Sequence, residues 1–410
     1  MEDDTLRTRS FRFLLSGVLL GLFTAPLLHA APTDDDSWWE SYFGHPQQKP
    51  DNSNPGNGVT ELYYDAPDGN AFIYSPDSDD VRTEGMSYGM MICVQTGHQK
   101  EFDKLWKWVK AHMAMPDPGM RGYNYWHCRI DGSVIDDGGP GSKCGAAPDG
   151  EEYFATALFF ASHRWGDKSG IDYGADAKTI LHAMIHNTHP MFVTETGASN
   201  PSPQVVFVPS GGVESTFTDP SYHLPAFYEL WAKWDVPENR AFWKSAAAAS
   251  RTLIAAAAHP VTGLTPDYAR FDGTPYTYQY NQKSPYFTAD AWRVVMNAAV
   301  DWKWNQAALS ERTLCDRVQT FILSKSGDGN PRAESGWTLD GKTATNPYGD
   351  QTGLLAMNAV AGLAATNSEQ AKRLFSAFAS RSLPSGHWRY YSAMLSYLAH
   401  LHISDAFQIY

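Results

Sequence analysis

The chain has 410 residues, 43% of them hydrophobic, and a formal charge of −13. That supply of apolar residues is ample for a large core, and no basic block is present that could track a phosphate backbone, which argues against a nucleic-acid partner. No Cys/His spacing matches a zinc site and no calcium loop or phosphate loop occurs, so neither a metal nor a cofactor is expected.

Residues 1–31 read as a secretory signal: Arg7, Arg9 and Arg12 form the basic part, Phe13 to Leu28 the apolar part, and Ala30-Ala31 the small-residue exit. The apolar run is short for a membrane span and no later segment approaches the required length. The expectation is cleavage near Ala30/Ala31 and a mature protein, residues 32–410, that is secreted or periplasmic, free of the membrane, and monomeric. Aromatics make up 13% of the chain, with 14 Trp and 21 Tyr; they fill cores, and in an acidic exported protein they also suit stacking on sugar faces.

After the signal, 32–60 is rich in Asp, Asn, Pro and Gly, interrupted by an aromatic patch at 37–43 that reads as a short docking helix. From residue 83 onward the pattern is helical nearly throughout. Phe102, Leu105, Trp106, Val109 and Met113 recur at three- and four-residue steps, as one buried helix face requires. Comparable runs occupy 83–97, 101–115, 151–164, 174–187, 221–234, 238–258, 288–304, 309–324, 351–365, 368–380 and 387–401. The β-like patch Gln204-Val205-Val206-Phe207-Val208 is short and isolated.

The first helix opens on Asp79-Asp80-Val81-Arg82-Thr83-Glu84-Gly85-Met86-Ser87-Tyr88-Gly89. Gly85 and Gly89 leave one helix face bare, so that a flat ligand or another backbone can approach Glu84. Glu84 is therefore the first candidate for a reacting group. Glu84, Asp149, Asp219 and Asp290 each open every second helix, 65, 70 and 71 residues apart. Six hairpins closed into a ring, inner helices parallel and outer helices returning, explain that step: an all-α chain whose acids, distant in sequence, gather at one end of an (α/α)6 barrel.

Each acid also has a plain structural reading. Asp149 suits an N-cap with Glu152 as its capping-box acid, and Asp219-Pro220 suits a cap followed by proline at the first helical position. Asp290 and Arg293 suit a surface ion pair. Against these stands the need of glycoside hydrolysis for two carboxyl groups on opposite faces of the scissile bond, one protonated and one ionised; Glu84 and Asp290 are the natural pair. A helix N-terminus and Arg82 both favour ionised Glu84, so a proton donor there needs desolvation or a neighbouring carboxylate such as Asp149 to outweigh them. Tyr123, Tyr125 and Trp126, Tyr222 with His223, and Tyr390-Tyr391 are candidate sugar platforms or core residues. Cys128 and Cys144, in one Gly-rich loop, read equally as a disulfide or as free thiols.

The block Arg82-Thr83-Glu84-Gly85-Met86-Ser87-Tyr88-Gly89-Met90-Met91 resembles the acid-bearing signature of glycoside hydrolase family 8. Asp149-Gly150-Glu151-Glu152-Tyr153-Phe154-Ala155, Asp219-Pro220-Ser221-Tyr222-His223-Leu224-Pro225 and Asp290-Ala291-Trp292-Arg293 are similar to further blocks of that family, in its order. The resemblance spans 38–410. It implies an (α/α)6 barrel acting on β-1,4 glycans with inversion, Glu84 as general acid, Asp290 as general base, and Asp149 as the carboxylate holding the sugar at the cleaved subsite. Arg293, Trp126, Tyr222, Tyr390 and Tyr391 match substrate-contacting positions. The full form of the first two blocks looks like the xylan-active branch, which contains endo-xylanases and reducing-end xylose-releasing exo-oligoxylanases. In the exo enzymes a short loop bearing a histidine blocks one end of the cleft. Here the matching stretch Thr345-Asn346-Pro347-Tyr348-Gly349-Asp350-Gln351-Thr352 has no histidine, which favours an endo-β-1,4-xylanase acting on xylan or xylo-oligosaccharides; a wall made by tyrosine or asparagine is the exo alternative. A polysaccharide lyase would want basic neutralising residues that this acidic chain does not obviously supply, and a non-catalytic glycan-binding protein would have no need of Glu84 with Asp290.

Overall fold

Burial sorts the helices into two sets. The computed structural model describes residues 35–45, 58–136, 144–168, 170–194, 202–326, 334–346 and 351–410; residues 1–31, read from sequence as a signal, and residues 347–350 of the wall stretch lie outside them. Twelve α-helices are described: α1 (Asp35–Tyr42), α2 (Thr83–Thr96), α3 (Gln99–Trp108), α4 (Pro148–Trp165), α5 (Tyr173–His186), α6 (Pro225–Trp234), α7 (Arg240–Ala257), α8 (Trp292–Asn305), α9 (Leu309–Ser326), α10 (Thr352–Ala361), α11 (Ser368–Ala379) and α12 (Arg389–Ile403). All ten residues of α10, fourteen of eighteen in α4 and thirteen of fifteen in α12 are buried. By contrast α11 buries three of twelve and α3 four of ten. A helix buried on every side lies inside, and one buried along a stripe covers it.

The contacts follow the same division. α2 packs on α4, α4 on α6, α6 on α8, α8 on α10 and α10 on α12, and α12 returns to α2. α3, α5, α7, α9 and α11 each pack on the even-numbered helix before them. The aromatic patch at 37–43 forms α1, where Trp38 stacks on His400 at 4.9 Å and meets Tyr397 at 5.5 Å, so α1 lies beside α12. Burial of one such large apolar side chain contributes about 1.5–3 kcal/mol.

Two helix boundaries differ from the sequence pattern for local reasons. The run at 221–234 begins as a 3-10 turn, Pro220–Tyr222, and the α-helix starts only at Pro225, because proline disfavours helical backbone in the residue before it. The run at 101–115 leaves α-geometry at Trp108 and finishes as a wider π-type turn over Val109–Met113.

Outside the helices, four antiparallel two-stranded ribbons are described: β1 (Tyr63–Asp65) with β2 (Ala71–Ile73), β3 (Val81–Arg82) with β4 (His127–Cys128), β5 (Phe192–Thr194) with β6 (Pro203–Val205), and β7 (Gly336–Trp337) with β8 (Ala344–Asn346). The Gln204 patch is thus not isolated: Val193 faces Gln204 and Phe192 faces Val205. The β3–β4 ribbon matters most for the site. It pairs Arg82 with His127, and the Thr83 amide donates to the Trp126 carbonyl at 2.9 Å, which ties the Trp126 loop to the start of α2. Cys93, Cys128, Cys144 and Cys315 are all buried, and no disulfide joins Cys128 to Cys144.

Candidate active site

Arg293 draws the four acids together. It lies in the first turn of α8, is buried, and its Nη1 donates to Glu84 Oε2 at 3.0 Å and to Asp149 Oδ2 at 2.6 Å. Its Nη2 reaches Asp290 Oδ1 at 3.4 Å and lies 3.8 Å from Asp219 Oδ2. Tyr222 presents its ring 5.7 Å from the guanidinium carbon, and the Tyr88 hydroxyl accepts from Nη1 at 3.3 Å. The starts of α2, α4 and α8 and the turn before α6 thus converge on one cation. Tyr390 of α12 joins them by donating its hydroxyl to Glu84 Oε1 at 3.1 Å. Arg293 lies beneath the carboxylates rather than on an open wall, so the surface ion-pair reading of Asp290–Arg293 does not hold.

The bare face of α2 serves a different purpose from the one its glycines suggested. A Cβ on Gly85 would lie 2.6 Å from the Tyr390 hydroxyl, and one on Gly89 would lie 2.7 Å from the Ile73 side chain. Side chains of the protein fill both spaces, and it is the Gly85 space that lets Tyr390 reach Glu84. A third glycine acts alike: a Cβ on Gly150 would meet Thr83 at 2.5 Å, so Gly150 permits the starts of α2 and α4 to touch.

Glu84 is pushed up to about 7, chiefly by burial; Arg293 opposes this most strongly, Asp149 and Asp290 raise it, and Arg82 lowers it. The charge of Arg82 is engaged elsewhere, since its Nε donates to Asp80 at 3.0 and 3.2 Å. Asp290 has 37% of its side chain exposed and is raised from the ordinary aspartate range, first by burial and then by Asp149, against Arg293 and Arg82. One half-buried acid and one more open acid therefore share a guanidinium, attached to different nitrogens.

The capping readings divide. Asp149 is not the cap of α4: Ala147 holds that position and Pro148 takes the first helical one. Asp149 instead accepts from the Gly150 amide at 2.8 Å through Oδ1 and faces Arg293 through Oδ2. Glu152 is no capping-box acid either; it is buried, accepts from the Tyr228 hydroxyl, and is raised well above the ordinary range by burial. Asp219 does cap, accepting from the Ser221 amide at 2.7 Å. It is fully buried beside Arg293 and raised, first by burial and then by Asp290.

Among the aromatic candidates, Trp126 is half-buried and stacks on His127 at 3.6 Å, with Arg82 5.7 Å from its ring. Tyr391 donates its hydroxyl to the Ala289 carbonyl at 2.8 Å, one residue before Asp290. Tyr123 is a core residue that donates to the Ala183 carbonyl at 2.9 Å, and Tyr125 is buried. His223 is buried between Ser250 and Thr218, and burial lowers it to about 3, so it stays neutral. Sequence reasoning missed Asp267, which is buried and accepts from the Thr288 and Ala291 amides. Its setting, Thr265-Pro266-Asp267-Tyr268, carries no helical or spacing signal. It also missed Glu151, buried and raised to about 8 by burial, which receives the Asn124 amide at 2.6 Å and so fixes the loop leading to Trp126. Among the described residues no group of three His, Cys, Asp or Glu is placed to hold a metal ion, and no helix is long and apolar enough to cross a membrane.

The site's chain-wide setting has known counterparts. The family model described as Glycosyl hydrolases family 8 matches residues 67–404. The reducing-end xylose-releasing exo-oligoxylanase Rex8A of Paenibacillus barcinonensis is 39% identical over 361 residues, covering 87% of this chain and 89% of that protein. The reducing end xylose-releasing exo-oligoxylanase of Halalkalibacterium halodurans is 36% identical over 381 residues, 91% of this chain and 89% of its own length. The solved structure of Rex8A complexed with xylose superposes with a TM-score of 0.79 at 36% identity, covering 92% of each chain.

Proposed function

The chain belongs to glycoside hydrolase family 8, and from that membership we propose that it is an inverting exo-oligoxylanase releasing xylose from the reducing ends of xylo-oligosaccharides. The observation carrying this reading is the likeness, over about nine-tenths of both chains, to two enzymes named for that activity. It displaces the endo-xylanase expectation, which rested on the lack of a histidine in Thr345–Thr352. Histidine is not the only residue with the bulk to close a cleft, and the stretch carries Asn346 and Tyr348. The ring of contacts from α2 through α12 and back to α2 supports the (α/α)6 barrel as the architecture. Residues 32–410 are read as one catalytic domain, monomeric and exported after removal of 1–31.

In the proposed reaction Glu84 gives its proton to the glycosidic oxygen as the bond from that oxygen to the anomeric carbon breaks, and terminal xylose leaves. Asp290 takes a proton from a water whose oxygen bonds to the same carbon from the opposite face. Inversion requires the two carboxyls to stand roughly 6.5–9.5 Å apart to admit that water; Glu84 and Asp290 bond to different nitrogens of one guanidinium. Asp149 keeps lone pairs for hydroxyls of the cleaved sugar, and Trp126 and Tyr222 offer ring surface. Tyr390 and Tyr391 act through the acids they support.

Digestion of xylohexaose tests the reading. Xylose and xylopentaose alone at early times are expected, with the α-anomer of the new xylopentaose end appearing first by proton NMR. Xylohexaose with its reducing end converted to the alditol should resist. Xylobiose, xylotriose and xylotetraose from the outset would return the endo reading, and a β-anomer first would overturn inversion.

A further inference from the structure

Asp290 sits on a short loop between the segment that follows α7 and the start of α8, and three contacts hold the backbone of that loop. Tyr391 donates to the Ala289 carbonyl on one side at 2.8 Å. The Arg293 amide donates to the Asp290 carbonyl at 3.2 Å. From the other side comes Asp267, 1% exposed, whose Oδ1 accepts both the Thr288 amide at 3.0 Å and the Ala291 amide at 3.1 Å. Its Oδ2 meets the Thr288 hydroxyl. Asp267 is itself anchored, since its amide donates to the Tyr286 carbonyl at 2.8 Å and the next amide, of Tyr268, to Ser284 at 2.8 Å.

Two amides received by a single oxygen bracket Ala289 and Asp290. A loop tip with more than a third of its acid exposed would otherwise be free to turn that acid away from Arg293. We propose that Asp267 is a positioning residue for Asp290: its carboxyl oxygen pins the backbone on both sides of that acid and so fixes where the acid meets a water in the cleft. This rests on the reading of Asp290 as general base. Asp267 is walled off from substrate by burial and exchanges no proton with it; the geometry uses Oδ1 only as an acceptor.

An acceptor role and a charge role differ in what they tolerate. Asp267→Asn keeps an oxygen to receive both amides and a donor for the Thr288 hydroxyl, and removes the capacity for charge. Asp267→Ala removes the clamp and leaves two buried amides without their acceptor. A displacement of about 1 Å at a reacting group costs on the order of a hundred-fold in rate. Initial xylose release from xylotriose, with enzyme concentration corrected for the folded fraction, is the readout.

Asp267→Ala is expected to lower kcat roughly ten- to a hundred-fold with KM within about two-fold, since the sugar-binding surface is untouched. Asp267→Asn is expected to stay within about three-fold of the parent in kcat. A folded Asp267→Ala enzyme with parental kcat would overturn the proposal. So would Asp267→Asn as inactive as Asp290→Asn, an arm that remains decisive if the alanine variant does not fold. Asp290→Asn run alongside separates the two levels. Parental activity there removes the base assignment and this proposal with it, whereas an inactive Asp290→Asn beside a fully active Asp267→Ala removes this proposal alone.

Discussion

Glu84 shares Arg293 with Asp149, and the balance among these three groups decides the pH at which Glu84 holds a proton. A helix start and two arginines favour the carboxylate, yet burial together with Asp149 and Asp290 outweighs them and brings Glu84 to about 7. A proton donor must be protonated in the free enzyme, so kcat/KM should fall as pH rises through about 7. Asp290 must be ionised to act as base, and its upward shift places the acidic limb above the ordinary aspartate range. The expected profile of kcat/KM is a bell with its descending limb near pH 7. Asp149→Asn sharpens this: it removes a charge that raises Glu84 and leaves Arg293 more available to it. Both effects lower the proton affinity of Glu84, so the descending limb should move about one pH unit to the acid side. A limb that stays in place, or moves upward, would show that Asp149 does not govern Glu84.

At the scale of the element, convergence of the helix starts was legible in the sequence while the use of the space between them was not. The step of 65–71 residues between the acids follows from inner and outer helices alternating, and periodic apolar runs marked α2 to α12, because burial on a helix face leaves a three- and four-residue rhythm; α1 was marked only by its aromatic patch. The glycines on α2 were visible too, but a missing Cβ does not say what fills the gap. The partner, Tyr390, stands 305 residues beyond Gly85. Asp267 left no trace for a related reason: its partners are backbone amides, which every residue type carries. Gly85→Ala isolates the packing at this point. Alanine favours a helix by about 1 kcal/mol, but the new carbon would lie 2.6 Å from the Tyr390 hydroxyl and 2.7 Å from its ring. Overpacking of that kind costs about 1–3 kcal/mol, so the net change is a modest loss of stability. The larger effect should be on rate, because Tyr390 is driven off Glu84. A fall in kcat of ten-fold or more with a Tm lowered by a few degrees is expected, and an unchanged kcat would detach Tyr390 from the chemistry.

Over the whole molecule, the acids pressed into its interior tie stability to pH in a direction that can be worked out. Besides Glu84, burial raises Glu151 to about 8 and Glu311 to about 9, the latter helped by its contact with Asp301. A carboxyl whose proton is held more tightly in the folded chain stabilises the fold fully below its unfolded value of 4.5. As pH climbs past that value the unfolded chain ionises first, and the contribution is lost progressively until the folded groups ionise near 7, 8 and 9. Each group is worth on the order of a few kcal/mol across that span. A net charge of −13 adds self-repulsion in the same direction. On the acid side, Asp301 is the counterweight: hydrogen bonds from Arg251 and Glu311 hold it below the usual range against burial, so its share of stability is lost as pH falls below about 4. The chain should therefore be most stable near about pH 4 to 4.5, and apparent Tm at a fixed scan rate should fall by roughly 5–15 °C between pH 5.5 and 9. Glu151→Gln keeps the shape of the side chain and an acceptor for Asn124 while removing the titration, so its Tm should fall less steeply over the same range. A Tm that rises with pH, or a Glu151→Gln slope equal to that of the parent, would mean these buried carboxyls ionise without cost to the fold.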